Sequence, residues 1–303
     1  MLTMSGRNAP TTPTFHDAIA FYEEKTLDLD RWFQVADVDY LLLLSSLDFE
    51  ALFPARRLRL LDVGCGTGRF PSLLRPWLNG VPTIEYDFLD PSPYCLQVMR
   101  ECLVAPFEAG QALAMRAEGL DVWRQQRAAT YDIVWAIHSL YCGQVEDVPG
   151  IIRNLDGLLA PGVGVGLIYI ATRRSFYLQL HDLYREVFAS PMGSFLGADE
   201  YAAAFDASGL PWSEERLRFF HVVPLEDHRL LESYLHKCAL DPSQPLSVWQ
   251  RQDSLHDLIE SCREGGFYRF PQEVALFRFG VPAAGAVKLL PKPQFLTNCT
   301  AGR

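Results

Sequence analysis

The sequence predicts an α/β protein with a doubly wound, mostly parallel sheet, and three observations carry that expectation. Short apolar runs alternate with helical segments of ten residues or so, which is the rhythm of βαβ units. The first clear run is followed by the glycine cluster Gly64-Cys65-Gly66-Thr67-Gly68 and then by helical spacing, giving strand, tight turn, helix. The chain has 303 residues, 49% hydrophobic and 21% charged, enough to bury a large core.

Helical periodicity is expected around Phe15 to Glu24 and from about Asp30 through Leu44, with Pro54 as the stop, so a helical cap precedes the main fold. Leu58 to Val63 reads as the first strand and Arg69 to Leu78 as the helix after the glycines. A strand over Thr83 to Leu89, a helix from Pro93 to about Phe107, a short strand near Ala112 to Arg116 and a strong strand over Tyr131 to Ile137 follow. Pro149 to Leu159 is the next helix, leading through Ala160-Pro161-Gly162 to the strand Gly164 to Ile170. Beyond Ser175 the pattern lengthens into helices over Phe176 to Phe188 and Ala198 to Ser208. Late strands at Leu217 to Val223 and Val274 to Phe279, added antiparallel, bracket helices at Glu226 to Cys238 and Ser254 to Glu264.

The division expected is a flexible tail at 1–13, one domain at 14–280 and a tail at 281–303. Within the domain, 14–56 is the cap, 57–172 the core and 173–280 the cleft-covering part with the final strands. There are 27 Lys plus Arg against 37 Asp plus Glu, a net charge of -10, which argues against nucleic acid as a partner. No apolar run is long enough to span a bilayer, and the opening residues lack a signal core, so a soluble, cytoplasmic protein is expected. Seven cysteines without a C-x-x-C pair read as reduced thiols, with no metal site.

Gly64 and Gly66 let a ligand approach the backbone at the end of the first strand. Their spacing, G-x-G-x-G, differs from the dinucleotide fingerprint G-x-G-x-x-G that serves a pyrophosphate. An adenosine without phosphates still needs its ribose hydroxyls gripped, and Asp90, ending the second strand, fits that task. Capping of the next helix is the other reading of Asp90, and Asp87, within the strand, is the competing carboxylate.

Together, D-V-G-C-G-T-G at 62–68, L-D-P-S-P at 89–93, Y-D-I-V-W-A-I-H-S-L-Y at 131–141 and L-L-A-P-G at 158–162 resemble the class I S-adenosylmethionine-dependent methyltransferases. Within that class the chain is most similar to the histamine N-methyltransferase group, through Ile137-His138-Ser139-Leu140-Tyr141, Asp147, Pro149 and the final strand at Phe270 to Phe279. The resemblance implies a Rossmann-like, mostly parallel seven-stranded sheet, with S-adenosylmethionine as cofactor and no metal. It places Gly64, Cys65 and Gly66 at the cofactor's turn, Asp90 at its ribose, Glu118 near the adenine, and Ile137 with His138 beside it. Glu118 reads equally as an exposed carboxylate.

The same resemblance offers Glu24 (or Glu23), Tyr141 and Gln272 as contacts to a small-molecule acceptor, with His138 as the catalytic candidate, and Tyr22 is a further candidate as an aromatic that could wall the pocket. His138 stands where the subgroup has an amide, Cys142 where it has a tyrosine, and Gln272 where it has an asparagine, which separates this chain from histamine itself. His138 reads either as a base or as a hydrogen-bonded part of the cleft wall. Glu23 and Glu24 read also as a solvated face, and the aromatics Phe21, Tyr22, Trp32 and Tyr141 as core. N-methylation of an amine or imidazole is the expected reaction. O-methylation with His138 as base, and a non-catalytic cofactor-binding module, are the alternatives.

Overall fold

The computed structural model describes residues 29–126, 130–190 and 192–280. The expected helix at Phe15 to Glu24, with Tyr22 and Glu24, lies outside the described residues, as do both tails. The described chain opens with α1 (Leu29–Ser45) and the short α2 (Phe49–Leu52), capped by Asp48. Then come β1 (Leu58–Val63), α3 (Arg69–Leu74), β2 (Ile84–Asp90), α4 (Pro93–Cys102), β3 (Phe107–Ala114) and α5 (Leu120–Gln126). The series continues with β4 (Ile133–Ile137), α6 (Val148–Gly157), β5 (Val165–Ala171), α7 (Phe176–Phe188) and α8 (Ala198–Ser208). It closes with β6 (Trp212–Pro224), α9 (His228–Ala239), α10 (Leu246–Trp249), α11 (Asp253–Glu260), β7 (Arg263–Glu264) and β8 (Phe267–Gly280).

The eight strands of the described residues join one sheet in the order β3-β2-β1-β4-β5-β8-β6, with β7 paired to β8 off that path. The first five strands are parallel, as helix crossovers require, and β8 runs antiparallel to both β5 and β6. The expected seven strands are present; the eighth, β7, is a two-residue return onto β8. The strand order reverses between β1 and β4, and a doubly wound sheet leaves a crevice at such a reversal, outside the strands' carboxyl ends.

Several boundaries differ from expectation: α3 ends at Leu74 rather than Leu78, and α11 ends at Glu260, with Arg263–Glu264 forming β7 instead of continuing the helix. The helix beginning at Pro93 stops at Cys102, and β3 begins at Phe107 rather than near Ala112. Proline at 106 has no N–H and excludes Ala105 from helical geometry, so the chain leaves the helix early and pairs Phe107 with Ile84. The two late strands also run longer than expected, because they pair with each other from Trp212–Phe279 to Pro224–Phe267. Charged residues such as Glu214, Arg216 and Arg218 hide that length from an apolar pattern.

Apolar side chains form two cores. The larger fills both faces of the sheet, where every residue of β4 is buried. The smaller gathers Phe176, Leu180 and Tyr184 of α7, Leu231 and Tyr234 of α9, Trp249, Leu255 and Phe270 into a lobe beside the crevice. Val35 of α1 belongs to this second core while Leu43 and Leu44 belong to the first, so α1 straddles the two.

Candidate active site

At the carboxyl ends of β1, β2 and β4 a chamber opens, roofed by α1, α7 and α9. Its floor is the glycine turn. Gly64, Gly66 and Gly68 all have left-handed backbones, with φ of 77°, 53° and 79°. The amides of Gly64 and Cys65 both donate to Leu89 O, at 2.7 and 3.0 Å, which ties the turn to the end of β2. A Cβ on Gly64 would lie 2.3 Å from that of Ser139, whereas one on Gly66 would meet no atom within 4 Å. Gly64 is thus needed for packing, and Gly66 leaves open space beside the chamber.

Asp90, 8% exposed, accepts from Gly66 N–H and Ser92 N–H, both at 2.9 Å. Burial pushes its carboxyl up to about 6, against the pull of those two amides. The cap of α4 is Ser92, whose hydroxyl accepts from Cys95 N–H, so Asp90 is not the capping residue. The competing Asp87 is committed to the sheet: it accepts from Gln111 N–H at 2.6 Å and from Tyr131 O–H at 2.7 Å. Beneath the turn, Asp62 is buried and accepts from Tyr86 O–H at 2.7 Å, and desolvation pushes its carboxyl up to about 7.

The other expected cofactor residues also border the chamber. Cys65 is half-buried in the turn, its thiol pushed up by burial. Ile137 ends β4. Glu118 sits in a short 3-10 turn after β3, paired with Arg116 at 3.3 Å. Gln272 of β8 lines the chamber too, but its amide is engaged by the protein, accepting from Ser175 O–H and donating to Tyr234 Oη at 3.1 Å.

His138 follows β4 with φ of 53°, a strained conformation for a residue with a Cβ. Its backbone N–H donates to Tyr169 O at 2.8 Å, which holds the ring where the strand ends. Nδ1 lies 2.6 Å from Tyr141 Oη, and Nε2 lies 2.7 Å from Asp39 Oδ2, out of line with the ring N–H. Asp39, on the inner face of α1, is 5% exposed and also accepts from Tyr169 O–H at 2.6 Å. Tyr141 Oη in turn accepts from Ala171 N–H at 3.1 Å.

On the far wall Lys237 of α9 lies over the rings of Trp32 at 5.5 Å and Tyr177 at 6.0 Å. Burial pushes its ammonium down to about 8. Trp32 also stacks on Tyr234 at 5.2 Å, so the aromatic wall joins α1 to α9. Asp39 and Lys237 were not singled out from the sequence, although a signal exists. Each interrupts a buried stripe at helical spacing, Ala36-Asp39-Leu43 and Leu230-Tyr234-Lys237, and a charge in such a stripe marks a functional candidate.

Among the described residues no cluster of three or more His, Cys, Asp or Glu could hold a metal ion, and no helix is long and apolar enough to cross a membrane. The cysteines among them are all free thiols.

No curated protein matches the chain significantly. Among solved structures it is similar to a mycolic acid cyclopropane synthase complexed with S-adenosylhomocysteine and CTAB. The TM-score is 0.50 at 13% identity, covering 89% of this chain and 99% of that one. It is similar also to an O-methyltransferase family protein from Burkholderia thailandensis, with a TM-score of 0.50 at 14% identity, covering 87% of this chain and 62% of that one. At these identities the likeness speaks for the fold alone. A family profile described as "Methyltransferase domain" matches residues 37–212, a stretch containing the glycine turn, Asp90, Glu118, His138 and Tyr141. The chain belongs to that family, the class I S-adenosylmethionine-dependent methyltransferases, and is an enzyme of that kind.

Proposed function

We propose that the chain methylates a small acceptor seated between His138, Tyr141 and the aromatic wall, and that the atom methylated is a hydroxyl oxygen. The observation that carries the oxygen assignment is the bracketing of His138 by Asp39 and Tyr141 at the chamber's edge. A hydroxyl must lose its proton as it is methylated, and a carboxylate-backed imidazole is built to take one. A neutral amine has a lone pair ready and needs no such group.

The residues present suit S-adenosylmethionine. The open space at Gly66 admits a ligand against the backbone, and the Asp90 carboxylate at the end of β2 suits ribose hydroxyls. In this reading Cys65 and Gly64 complete the turn, Ile137 and Glu118 border the adenosine, and Gln272, held by Ser175 and Tyr234, stiffens the acceptor's wall. When bound, the cofactor supplies an electrophilic methyl group. The chain's own part is to align the acceptor in line, exclude water and receive the proton.

Two measurements test this reading. In calorimetry S-adenosylhomocysteine should bind, weaken at least tenfold in Asp90→Asn, and weaken about tenfold per unit as pH falls below about 6, where the carboxylate takes up its proton. Side-by-side turnover of phenols and hydroxy acids against amines should favour the hydroxyl compounds; turnover of amines alone would move the assignment to nitrogen.

A further inference from the structure

We propose that Nε2 of His221, on the inner face of β6, takes a second hydroxyl of the acceptor, so that the molecule methylated at one hydroxyl carries another. The inference deepens the oxygen reading above and rests on it. Along β6 the side chains of Arg216, Arg218, Phe220 and Val222 face outward, and those of Leu217, Phe219, His221 and Val223 face inward. His221 is the polar member of that inward stripe. It is 3% exposed and borders the chamber. Its Nδ1 lies 3.1 Å from Tyr234 Oη, while Nε2 is buried and has no hydrogen-bond partner among the described residues. A buried imidazole nitrogen without a partner costs stability that an apolar residue in the same stripe would not. Beside a chamber, that cost is recovered when a ligand supplies the partner.

The ring is also held in place. Ser175 O–H donates to Gln272 Oε1, and the Gln272 amide donates to Tyr234 Oη at 3.1 Å and to Phe270 O at 3.4 Å. Tyr234 stacks on Trp32 at 5.2 Å and on Phe270 at 4.8 Å, and Trp32 meets the His221 ring edge-on at 5.8 Å. Rotation of the imidazole would give up the Nδ1 contact, so Nε2 is a pre-organised group on a rigid strand.

The kind of group that suits Nε2 follows from charge. Burial pushes the imidazole down to about 4, so the ring is neutral at ordinary pH, with one nitrogen protonated and the other bare. A carboxylate would meet no positive charge on that ring, and the nearby Asp39 opposes a second anion. An ammonium can only donate and a carbonyl can only accept, so each suits one protonation pattern of the ring. A hydroxyl does both and satisfies Nε2 whether that nitrogen holds the proton or lacks it. His138 and His221 border the same chamber, and a charge on His138 is felt at His221, so one small molecule reaches both. His221 exchanges no proton with the acceptor. It determines specificity, because a site built around a hydroxyl discriminates against the analogue that lacks it.

The test uses the full chain saturated with S-adenosylhomocysteine and three pairs of probes of near-equal size: catechol with o-cresol, resorcinol with m-cresol, and hydroquinone with p-cresol. In each pair a methyl replaces one hydroxyl. Calorimetry on the wild type should show at least one diol binding at least tenfold tighter than its cresol. In His221→Phe and His221→Leu that ratio should fall to within about twofold, since neither side chain offers a nitrogen. Each variant is required to melt cooperatively and to bind S-adenosylhomocysteine as the wild type does. For a variant that fails this control, wild-type chain labelled with 15N-histidine gives a second reading, in which the diol should move the Nε2 resonance of His221 and the matching cresol should not. The proposal is overturned if no diol outbinds its cresol, if the ratio survives loss of the imidazole, or if diol and cresol leave that resonance in the same place. Turnover separates this from the reading beneath it. Methylation of cresols and diols at equal efficiency would keep the oxygen assignment and strike the second hydroxyl, whereas turnover of amines with neither phenol methylated would strike the oxygen assignment itself.

Discussion

At the scale of single residues the site depends on carboxylates held where water is scarce. Asp62 is the clearest case: burial pushes its carboxyl up to about 7, while an unfolded aspartate titrates near about 4. Between those values the folded chain holds a proton that the unfolded chain has released. The stability this group contributes is therefore present in full below about pH 4 and is lost as pH rises through about 7. Asp62→Asn, which keeps a partner for Tyr86 O–H without the charge, should gain roughly 2–4 kcal/mol on the wild type between pH 4.5 and pH 8, read by urea unfolding at each pH. An unchanged difference would mean that Asp62 stays ionised in the fold. The sequence disclosed part of this site. Gly64, Gly66 and Asp90 stood out because turn and strand chemistry is local, within a few residues of each carboxylate or glycine. His138 and Tyr141 stood out too, but Asp39 did not, since it lies about a hundred positions upstream and meets His138 only once α1 packs across the sheet.

At the scale of elements, the strand-turn-helix unit from β1 to α3 shows how one motif contains two kinds of glycine. Gly64→Ala forces a Cβ against Ser139 at a left-handed backbone and should destabilise the fold severely, by roughly 3 kcal/mol or more. Gly66→Ala meets open space, so it should cost only about 1–2 kcal/mol of backbone strain while weakening S-adenosylhomocysteine binding at least tenfold. Thermal melts and calorimetry on the two variants check the contrast, and equal loss of stability in both would refute it. The elements themselves were legible wherever the pattern was periodic. The strand Leu58–Val63 and the helices Phe176–Phe188 and Ala198–Ser208 have the bounds that their apolar spacing predicts. The start of β3 was not, because its alternation of Glu108, Gly110 and Gln111 with small apolar residues is weak on a half-exposed strand. Nor was the length of β6, whose outer face carries charge in the manner of an edge strand.

At the scale of the whole molecule, two cores divide the labour. The larger supports the glycine turn and the strand ends, and the smaller supports the roof and the aromatic wall. Trp249 is fully buried in the smaller core, packed on Tyr184 at 4.7 Å, with its N–H donating to Gln244 O at 2.9 Å. Trp249→Ala should cost about 3–5 kcal/mol, visible as a lowered melting temperature. Because it touches nothing in the turn, affinity for S-adenosylhomocysteine at 20 °C should stay within about twofold. Loss of cofactor affinity in step with stability would show the two cores to be one cooperative body. The sequence indicated a lobe covering the crevice but not its separate core, since its members come from α1, α7, α9 and β8 and share no local pattern.

The sheet's plan also bears on how the chain is made. β8, last of the described strands in sequence, lies between β5 and β6, so neither of those can satisfy that edge until the ribosome has delivered Phe267 to Gly280. For several seconds of synthesis at ordinary rates the nascent chain carries two bare strand margins, one of them among the most apolar in the protein. A nascent chain halted before that strand therefore exposes the surface to which chaperones, or other copies of itself, would adhere.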